Sequence, residues 1–498
     1  MNKLFLVIIS ALLMGLAQQP IFLGFLAWVS FIPLLYFLDN KIRFKDFFYI
    51  GLIWGFVYHL TSIYWLSMNI GTNIYISIFT MFLSVLVLTI NSIIIFSILY
   101  LFKKYYFHKY IYFLPFIWIL VEYIKSFGVL GFPWVSIANT QIDYLILIQN
   151  AEFFGIYGIS FWIVFFNVIL YDLIKSNDKI FSLNKKLFFC VLVFFIPWFS
   201  GLFLYKKIDL SYENKIDIGL VQPNITLKEK WLGNPKNNFN KIVDLSIELQ
   251  KASNHLLVWP ESALPAYFLQ SNSFQMNKIY NLLGDSTKLV TGTTLFIKDS
   301  INNKVFNSIA YVDSKKKSSY YNKIQLVPMA EYVPWSNIFP FLKNINLGQA
   351  NFSKGEQYKI FNYDEINFGA VVCYESTFPW LFNEFVRNGA EFMIVVTNDG
   401  WYETAPEPQQ HAKQSIYRAI ENRKPIVRCA NTGISMFINQ RGNINKKLEL
   451  NKTGILKASI TPNIKKTFYN KYGDYLIQIM GFILLIFLLK AVFYKNEI

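Results

Sequence analysis

Three side chains of complementary chemistry, Glu261, Lys323 and Cys373, stand in three short strings of the sequence. The run 368–373 is Val-rich, reads as a buried strand, and delivers Cys373 to its end. Glu375 comes two residues later, and Ser376 and Thr377 look like helix-cap residues just beyond. A thiol at a strand end facing a helix N-terminus is a place to stabilise a thiolate and expose a nucleophile. A small core cysteine would also fit this segment, since free Cys is commonly buried. A second run stops at Trp259 and Pro260 and presents Glu261, with Pro265 closing a shaped turn. A third string, from Tyr321 to Pro334, places Lys323 and Glu331 on either side of an apolar turn. Taken alone, Lys323 reads as a surface lysine. Together, a carboxylate to take the thiol proton, a thiol to carry an acyl group and a cation to hold an oxyanion meet the needs of acyl transfer. No histidine lies in these strings, which argues against a Cys–His protease arrangement.

The elements that position these residues begin near residue 216. Runs at 216–221, 256–259, 288–293, 305–312, 368–373, 392–397, 426–429 and 434–438 read as strands. Periodic stretches at 237–252, 275–283, 379–387 and 409–422 read as helices. This is an α/β layered domain spanning 206–473, long enough for one core. The rest of the chain is far more apolar. The sequence as a whole is 54% hydrophobic with mean hydropathy +0.33, beyond an ordinary soluble enzyme. Spans at 4–18, 21–38, 47–66, 74–102, 110–125, 155–174, 187–205 and 475–493 suggest about eight transmembrane helices. Residues 1–17 also have signal-peptide features, but further apolar spans follow at once. The expected organisation is a membrane bundle over 1–205, the α/β domain over 206–473, and a last helix with a short tail over 474–498.

Loop charge sets an expected orientation. Lys41, Arg43 and Lys45, then Lys103, Lys104 and Lys109, then Lys175, Lys179, Lys185 and Lys186 mark alternate loops, while 18–20 and 67–73 carry no Lys or Arg. That pattern places both termini in the cytoplasm and 206–473 on the outer, periplasmic face of a bacterial inner membrane. Residues 206–473 hold 33 Lys and Arg against 22 Asp and Glu, a surplus of 11 of the chain's formal +16. The surplus fits either a solvated basic surface or attraction to anionic headgroups; basic clusters interleaved with aromatics of the nucleic-acid type are absent. The three cysteines, Cys190, Cys373 and Cys429, are too few for a disulfide-built domain, although Cys373 and Cys429 could pair. The histidines His59, His108, His255 and His411 lack metal-ligand spacing, and no phosphate-binding glycine pattern occurs, so no cofactor is expected.

These strings resemble those of a known family. Glu261, Lys323 and Cys373 look like the Glu–Lys–Cys triad of the nitrilase, or carbon–nitrogen hydrolase, superfamily. Their surroundings, with the Thr397-Asn-Asp-Gly-Trp401 string, resemble its membrane-embedded branch, the apolipoprotein N-acyltransferases. The likeness covers nearly the whole chain. It implies a polytopic helical bundle with a nitrilase-like α-β-β-α sandwich, a phospholipid acyl donor, and the α-amine of an S-diacylglyceryl cysteine on a lipoprotein as acceptor. By the same resemblance Glu261 is general base, Cys373 nucleophile and Lys323 electrostatic stabiliser. Glu331 matches an additional glutamate beside the triad, Tyr374 and Glu375 match the residues after the nucleophile, and the Tyr374 N–H is a candidate oxyanion donor. Trp231 matches a functional loop tryptophan, or is an exposed anchor. The sequence departs from the family's Gly-rich pattern at 403–408.

Two other readings compete: a membrane-anchored amidase or nitrilase, and a non-catalytic lipid- or lipoprotein-binding protein. The intact triad weighs against the latter, and the many spans weigh against a soluble substrate. The apolar loop bearing Trp335, Ile338, Phe339, Phe341 and Leu342, beside Glu331, is expected either to pack on the core or to dip into the membrane interface.

Overall fold

A computed structural model describes residues 4–39, 43–106, 109–176, 180–210, 215–250, 256–264, 267–270, 274–298, 303–313, 315, 317–336, 338–341, 351–404 and 406–493. The chain forms two compact units: 1–68, 74–207 and 472–498 in one, 69–73 and 208–471 in the other.

The first unit is helical. Its apolar helices fall at all eight positions where spans were expected, but among the described residues only Phe44–Met68, Ile74–Tyr105, Ala151–Lys175 and Phe181–Lys207 are long and apolar enough to cross a membrane by length and composition. Leu4–Ala17, Gly24–Asp39, Tyr110–Ile124 and Tyr475–Lys490 are shorter. At 1.5 Å per residue, a 14-residue helix such as Leu4–Ala17 reaches about 21 Å, less than the roughly 30 Å of a hydrocarbon core. The buried Glu122 carboxylate in this unit accepts from Trp118 Nε1 (3.0 Å), Ser136 Oγ (2.8 Å) and the Ile137 N–H (2.8 Å), which satisfies a group that would otherwise be costly among apolar helices.

Among the described residues the second unit holds twelve strands: β1 Ile216–Gln222, β2 Leu256–Val258, β3 Lys288–Lys298, β4 Asn303–Val312, β5 Ser318–Asn322, β6 Ile360–Tyr363, β7 Ile366–Val372, β8 Phe392–Thr397, β9 Ile426–Ala430, β10 Ser435–Ile438, β11 Ile444–Leu448 and β12 Gly454–Ile460. They form two six-stranded sheets, ordered β12-β1-β2-β3-β4-β5 and β11-β10-β9-β8-β7-β6. β1, β2 and β3 run parallel, as do β7, β8 and β9, and the remaining pairs are antiparallel. Helices Pro235–Gln250 and Phe274–Leu283 cover the first sheet through Phe239, Ile242, Leu249 and Ile279, which cluster with Leu257, Trp259 and Leu289. Helix Pro379–Arg387 buries Leu381, Phe382 and Phe385 completely; each such side chain contributes about 1.5–3 kcal/mol.

All eight expected strands are present. The four that the apolar pattern did not mark are β5, β6, β11 and β12, and these are the four sheet edges. An edge strand is covered on fewer sides, so it need not be continuously apolar: β11 is Ile-Asn-Lys-Lys-Leu and almost wholly exposed. The helices also form near their expected bounds, at Pro235–Gln250, Phe274–Leu283, Pro379–Arg387 and Glu407–Asn422; 251–252 lie outside the described residues.

Candidate functional site

Chemistry collects at the C-terminal ends of parallel strands. β7 ends at Val372, and Cys373 follows in a tight 3-10 turn, Cys373–Thr377. Cys373 adopts φ +50°, a left-handed conformation that a non-Gly residue holds only where its surroundings enforce it. Glu375 supplies much of that enforcement. Its buried Oε1 accepts from Tyr321 OH (2.7 Å), the Ile324 N–H (2.7 Å) and the Gln325 N–H (3.0 Å), and its Oε2 accepts from the Val372 N–H (2.8 Å). One carboxylate therefore ties the segment after β5, which carries Lys323, to the end of β7. Ser376 and Thr377 do not cap the following helix, whose N-cap is Phe378; their hydroxyls bond back to the carbonyls of Cys373 and Tyr374, each at 2.8 Å. This corrects the helix-cap expectation: the 3-10 turn intervenes and uses both hydroxyls itself.

The first sheet brings the acid and the lysine together. After β2, the turn at Glu261 passes so close to β3 that a Cβ at Gly292 would lie 2.5 Å from the Glu261 Cα. Only glycine allows that approach. Glu261 Oε1 accepts from Asn307 Nδ2 (2.8 Å) and Oε2 from the Asn398 N–H (2.9 Å). Asn307 Nδ2 also reaches Glu331 Oε1 at 2.8 Å. Lys323 is fully buried, not a surface lysine, and its Nζ lies 2.9 Å from both Glu331 oxygens. The Val327 N–H holds Glu331 Oε2 at 2.8 Å.

Burial pushes the Glu261 pKa up; Lys323 and the Asn307 hydrogen bond oppose that, and Glu331 adds to it. Burial disfavours the charged form of Lys323, but the surrounding Glu331, Glu261 and Cys373 outweigh it and hold the ammonium protonated. Burial, then Glu261, pushes the Cys373 thiol well above its usual value despite Lys323. The expected thiolate-stabilising environment is thus corrected: desolvation outweighs the lysine, and the resting group is a thiol that needs a base. A thiol that keeps its proton beside a carboxylate with raised proton affinity is matched for transfer between them.

Beneath Cys373 the second sheet adds a cluster that the sequence reading missed. Its carbonyl oxygen lies 3.1 Å from His411 Nε2. His411 Nδ1 lies 2.8 Å from Asp399 Oδ1, and Arg428 Nη2 donates to Asp399 Oδ2 at 3.0 Å. Arg428 and His411 hold Asp399 well below the usual carboxylate range against its burial. Cys373, Asp399 and His411 offer donor atoms within 4.8 Å of one another. A resident metal does not suit them, because both imidazole nitrogens already face protein partners and the Arg428 guanidinium stands 3.1 Å from Nδ1. Asp399 sits inside a string already singled out, whereas His411 carried no signal: a lone histidine in a periodic helix reads as core.

Tyr374 is buried, its ring edge-on to Phe378 at 4.9 Å. Trp231 lies on a short helix, Leu227–Leu232, started by a Thr226–Glu229 capping box, and not on a loop; it is exposed and its ring is 5.8 Å from Trp401. The 69–73 segment belongs to the same unit: the Ile70 N–H donates to the Trp401 carbonyl at 3.0 Å. Trp335, Ile338, Phe339 and Phe341 are exposed, and Leu342 lies outside the described residues. Cys429 is free, fully buried, and directs its thiol to the Val221 and Val258 carbonyls, so it does not pair with Cys373.

Comparison with known proteins agrees with this architecture. The family described as apolipoprotein N-acyltransferase N-terminal domain matches residues 10–169, and that described as carbon-nitrogen hydrolase matches 217–467. Apolipoprotein N-acyltransferase of Geobacter metallireducens is 30% identical over 485 residues, 94% of this chain and 91% of that relative. The protein of that name from Chlorobaculum tepidum is 28% identical over 94% of this chain and 93% of its own. The one from Rickettsia prowazekii is 28% identical over 98% of each chain.

Proposed function

The chain belongs to the apolipoprotein N-acyltransferase family, and from that premise we propose that it moves a fatty acyl chain from a membrane phospholipid to the N-terminal amine of an S-diacylglyceryl lipoprotein, through a thioester on Cys373. The observation that carries this reading is the buried Glu261–Asn307–Glu331–Lys323 cluster beside a strand-end thiol at positive φ.

Glu261 removes the Cys373 proton as sulfur attacks the ester carbonyl. Lys323 and backbone N–H groups, the Tyr374 N–H among them, hold the oxyanion; one such donor contributes about 3–4 kcal/mol in comparable sites. Collapse expels the lysophospholipid alkoxide, which takes the proton back from Glu261. The acceptor amine then attacks the thioester, gives its proton to Glu261, and the sulfur leaves and is reprotonated. Thioester to amide is downhill, so the second half-reaction needs only that water be kept from the acyl-enzyme. Glu331 shares the Lys323 ammonium and the Asn307 amide, and so sets the charge that Glu261 meets. No cofactor takes part. The loop carrying Trp335, Ile338, Phe339 and Phe341 leads lipid to the site, since exposed Trp and Phe favour a membrane interface. The Lys/Arg distribution supports an inner-membrane protein with residues 206–473 on the periplasmic face.

Purified protein given acyl-labelled phospholipid without acceptor is expected to accumulate label that neutral hydroxylamine removes and that Cys373→Ser lacks. A diacylated lipopeptide with a free N-terminus discharges it as amide. Steady escape of free fatty acid would favour the hydrolase reading, and a folded, lipid-supplied protein that never takes label would exclude the thioester.

A further inference from the structure

We propose that His411 is a positioning residue for acyl transfer: by donating Nε2–H to the Cys373 carbonyl it fixes the peptide whose other end is the Tyr374 N–H. The inference rests on the reading of that N–H as an oxyanion donor. In a trans peptide the C=O of one residue and the N–H of the next lie in one plane and point in opposite directions. Whatever holds the Cys373 oxygen on one side therefore sets where the Tyr374 N–H aims on the other. Two groups hold that oxygen, Ser376 Oγ at 2.8 Å and His411 Nε2 at 3.1 Å.

The two differ in what stands behind them. Ser376 belongs to the same 3-10 turn, and its Oγ also lies 3.0 Å from His411 Nε2. His411 comes from helix Glu407–Asn422 and is braced from the far side. Its Nδ1 lies 2.8 Å from Asp399 Oδ1, Thr397 Oγ1 donates to that same oxygen at 2.9 Å, and Arg428 Nη2 holds the other oxygen at 3.0 Å. Asp399 follows β8 and Arg428 lies on β9, so the imidazole is anchored to the two strands that continue the sheet from β7. The Cys373 carbonyl can only accept, so Nε2 carries the proton that faces it, while Nδ1 stands between the Asp399 carboxylate at 2.8 Å and the Arg428 guanidinium at 3.1 Å. A hydrogen bond to the carbonyl also polarises the peptide and strengthens its N–H as a donor. Cys373 at φ +50° needs such an external hold, because an L residue relaxes from that conformation when its peptide is free to turn.

The role separates from a general structural one because two reactions of the same thiol differ in their need for an oxyanion. Alkylation by iodoacetamide displaces iodide at a CH2 group and develops no oxyanion, whereas acylation passes through a tetrahedral one. The full-length protein in lipid nanodiscs is given labelled phospholipid, p-nitrophenyl butyrate or iodoacetamide, and modification of Cys373 is timed. His411→Asn, whose amide stops at the Nδ1 position, is expected to slow acylation by either donor roughly 30- to 100-fold, a part of what one oxyanion donor supplies, while alkylation stays within about threefold. His411→Gln, whose Nε2 lies as many bonds from the backbone as that of histidine, is expected to recover at least about tenfold of the loss. Unchanged acylation in His411→Asn would overturn the proposal. So would equal loss of acylation and alkylation in both variants, which would make His411 a support for the thiol or the fold. Wild-type protein inert to phospholipid but acylated by the nitrophenyl ester, with this variant pattern intact, would refute the lipid donor and keep the positioning role.

Discussion

Glu261 and Asp399 invite direct comparison. Each is a buried carboxylate just past the end of a parallel strand, one on the first sheet and one on the second, and burial raises the proton affinity of both. They come out on opposite sides of the ordinary range. Asp399 has Arg428 at 3.0 Å and His411 at 2.8 Å in direct contact, and these partners overcome its burial. Glu261 is held by two neutral amide groups, and the nearby ammonium of Lys323 is spent on Glu331. Two unit charges at 4 Å interact by about 4 kcal/mol at an effective dielectric of 20, against 1.36 kcal/mol per pKa unit, so whether a cation is in direct contact decides the outcome. The contrast separates a carboxylate whose proton affinity is raised, as the proposed base requires, from one that keeps its charge.

The contrast breaks most readily at its active end. Glu261→Gln keeps the shape and loses the base, and is expected to lower the rate of Cys373 acylation by about 10²- to 10⁴-fold with little loss of fold. A loss under tenfold would remove Glu261 from proton transfer. At the other end, Asp399→Asn leaves Arg428 buried without its counter-charge. About 3–5 kcal/mol of stability is expected to go, seen as a lower melting temperature in detergent. Unchanged melting, with acylation as depressed as in Glu261→Gln, would put Asp399 in the chemistry instead.

The pH dependence sharpens the same point. As the proposed base Glu261 must be ionised, and its pKa is raised, so acylation is expected to fall as pH drops through a value above the 4.3 of an ordinary glutamate. The Asn307 hydrogen bond favours the carboxylate, so Asn307→Leu should move that acid limb to still higher pH. Asp399 gives no such limb at working pH. Its depressed pKa contributes stability that is present above about 3.9, the unfolded value, and is lost as pH falls through the lower folded value. An acid limb that ignores Asn307→Leu would detach it from Glu261.

What was legible in the sequence follows a physical rule. Glu261 and Cys373 each stand where an apolar run stops, Lys323 stands where an apolar turn begins, and the central strands announce themselves because both faces are covered. The edges β5, β6, β11 and β12 gave no such signal, being half solvated. Asn307 sits within β4 among ordinary strand residues, and only the register that sets Ser308 opposite Asn322 brings it beside Lys323. The 69–73 segment reads as a loop between helices, yet it packs with the α/β unit.

The identities of the proposed reacting groups, the family they belong to and the apolar spans were determined by the chain alone, because composition and local pattern carry them. The protonation of those groups was decided only by tertiary structure. Whether burial or a cation governs Cys373, Glu261 or Asp399 depends on partners such as Arg428 and His411, 55 and 38 positions along the chain from Cys373, and an electrostatic balance between residues so far apart exists only once the fold has brought them together.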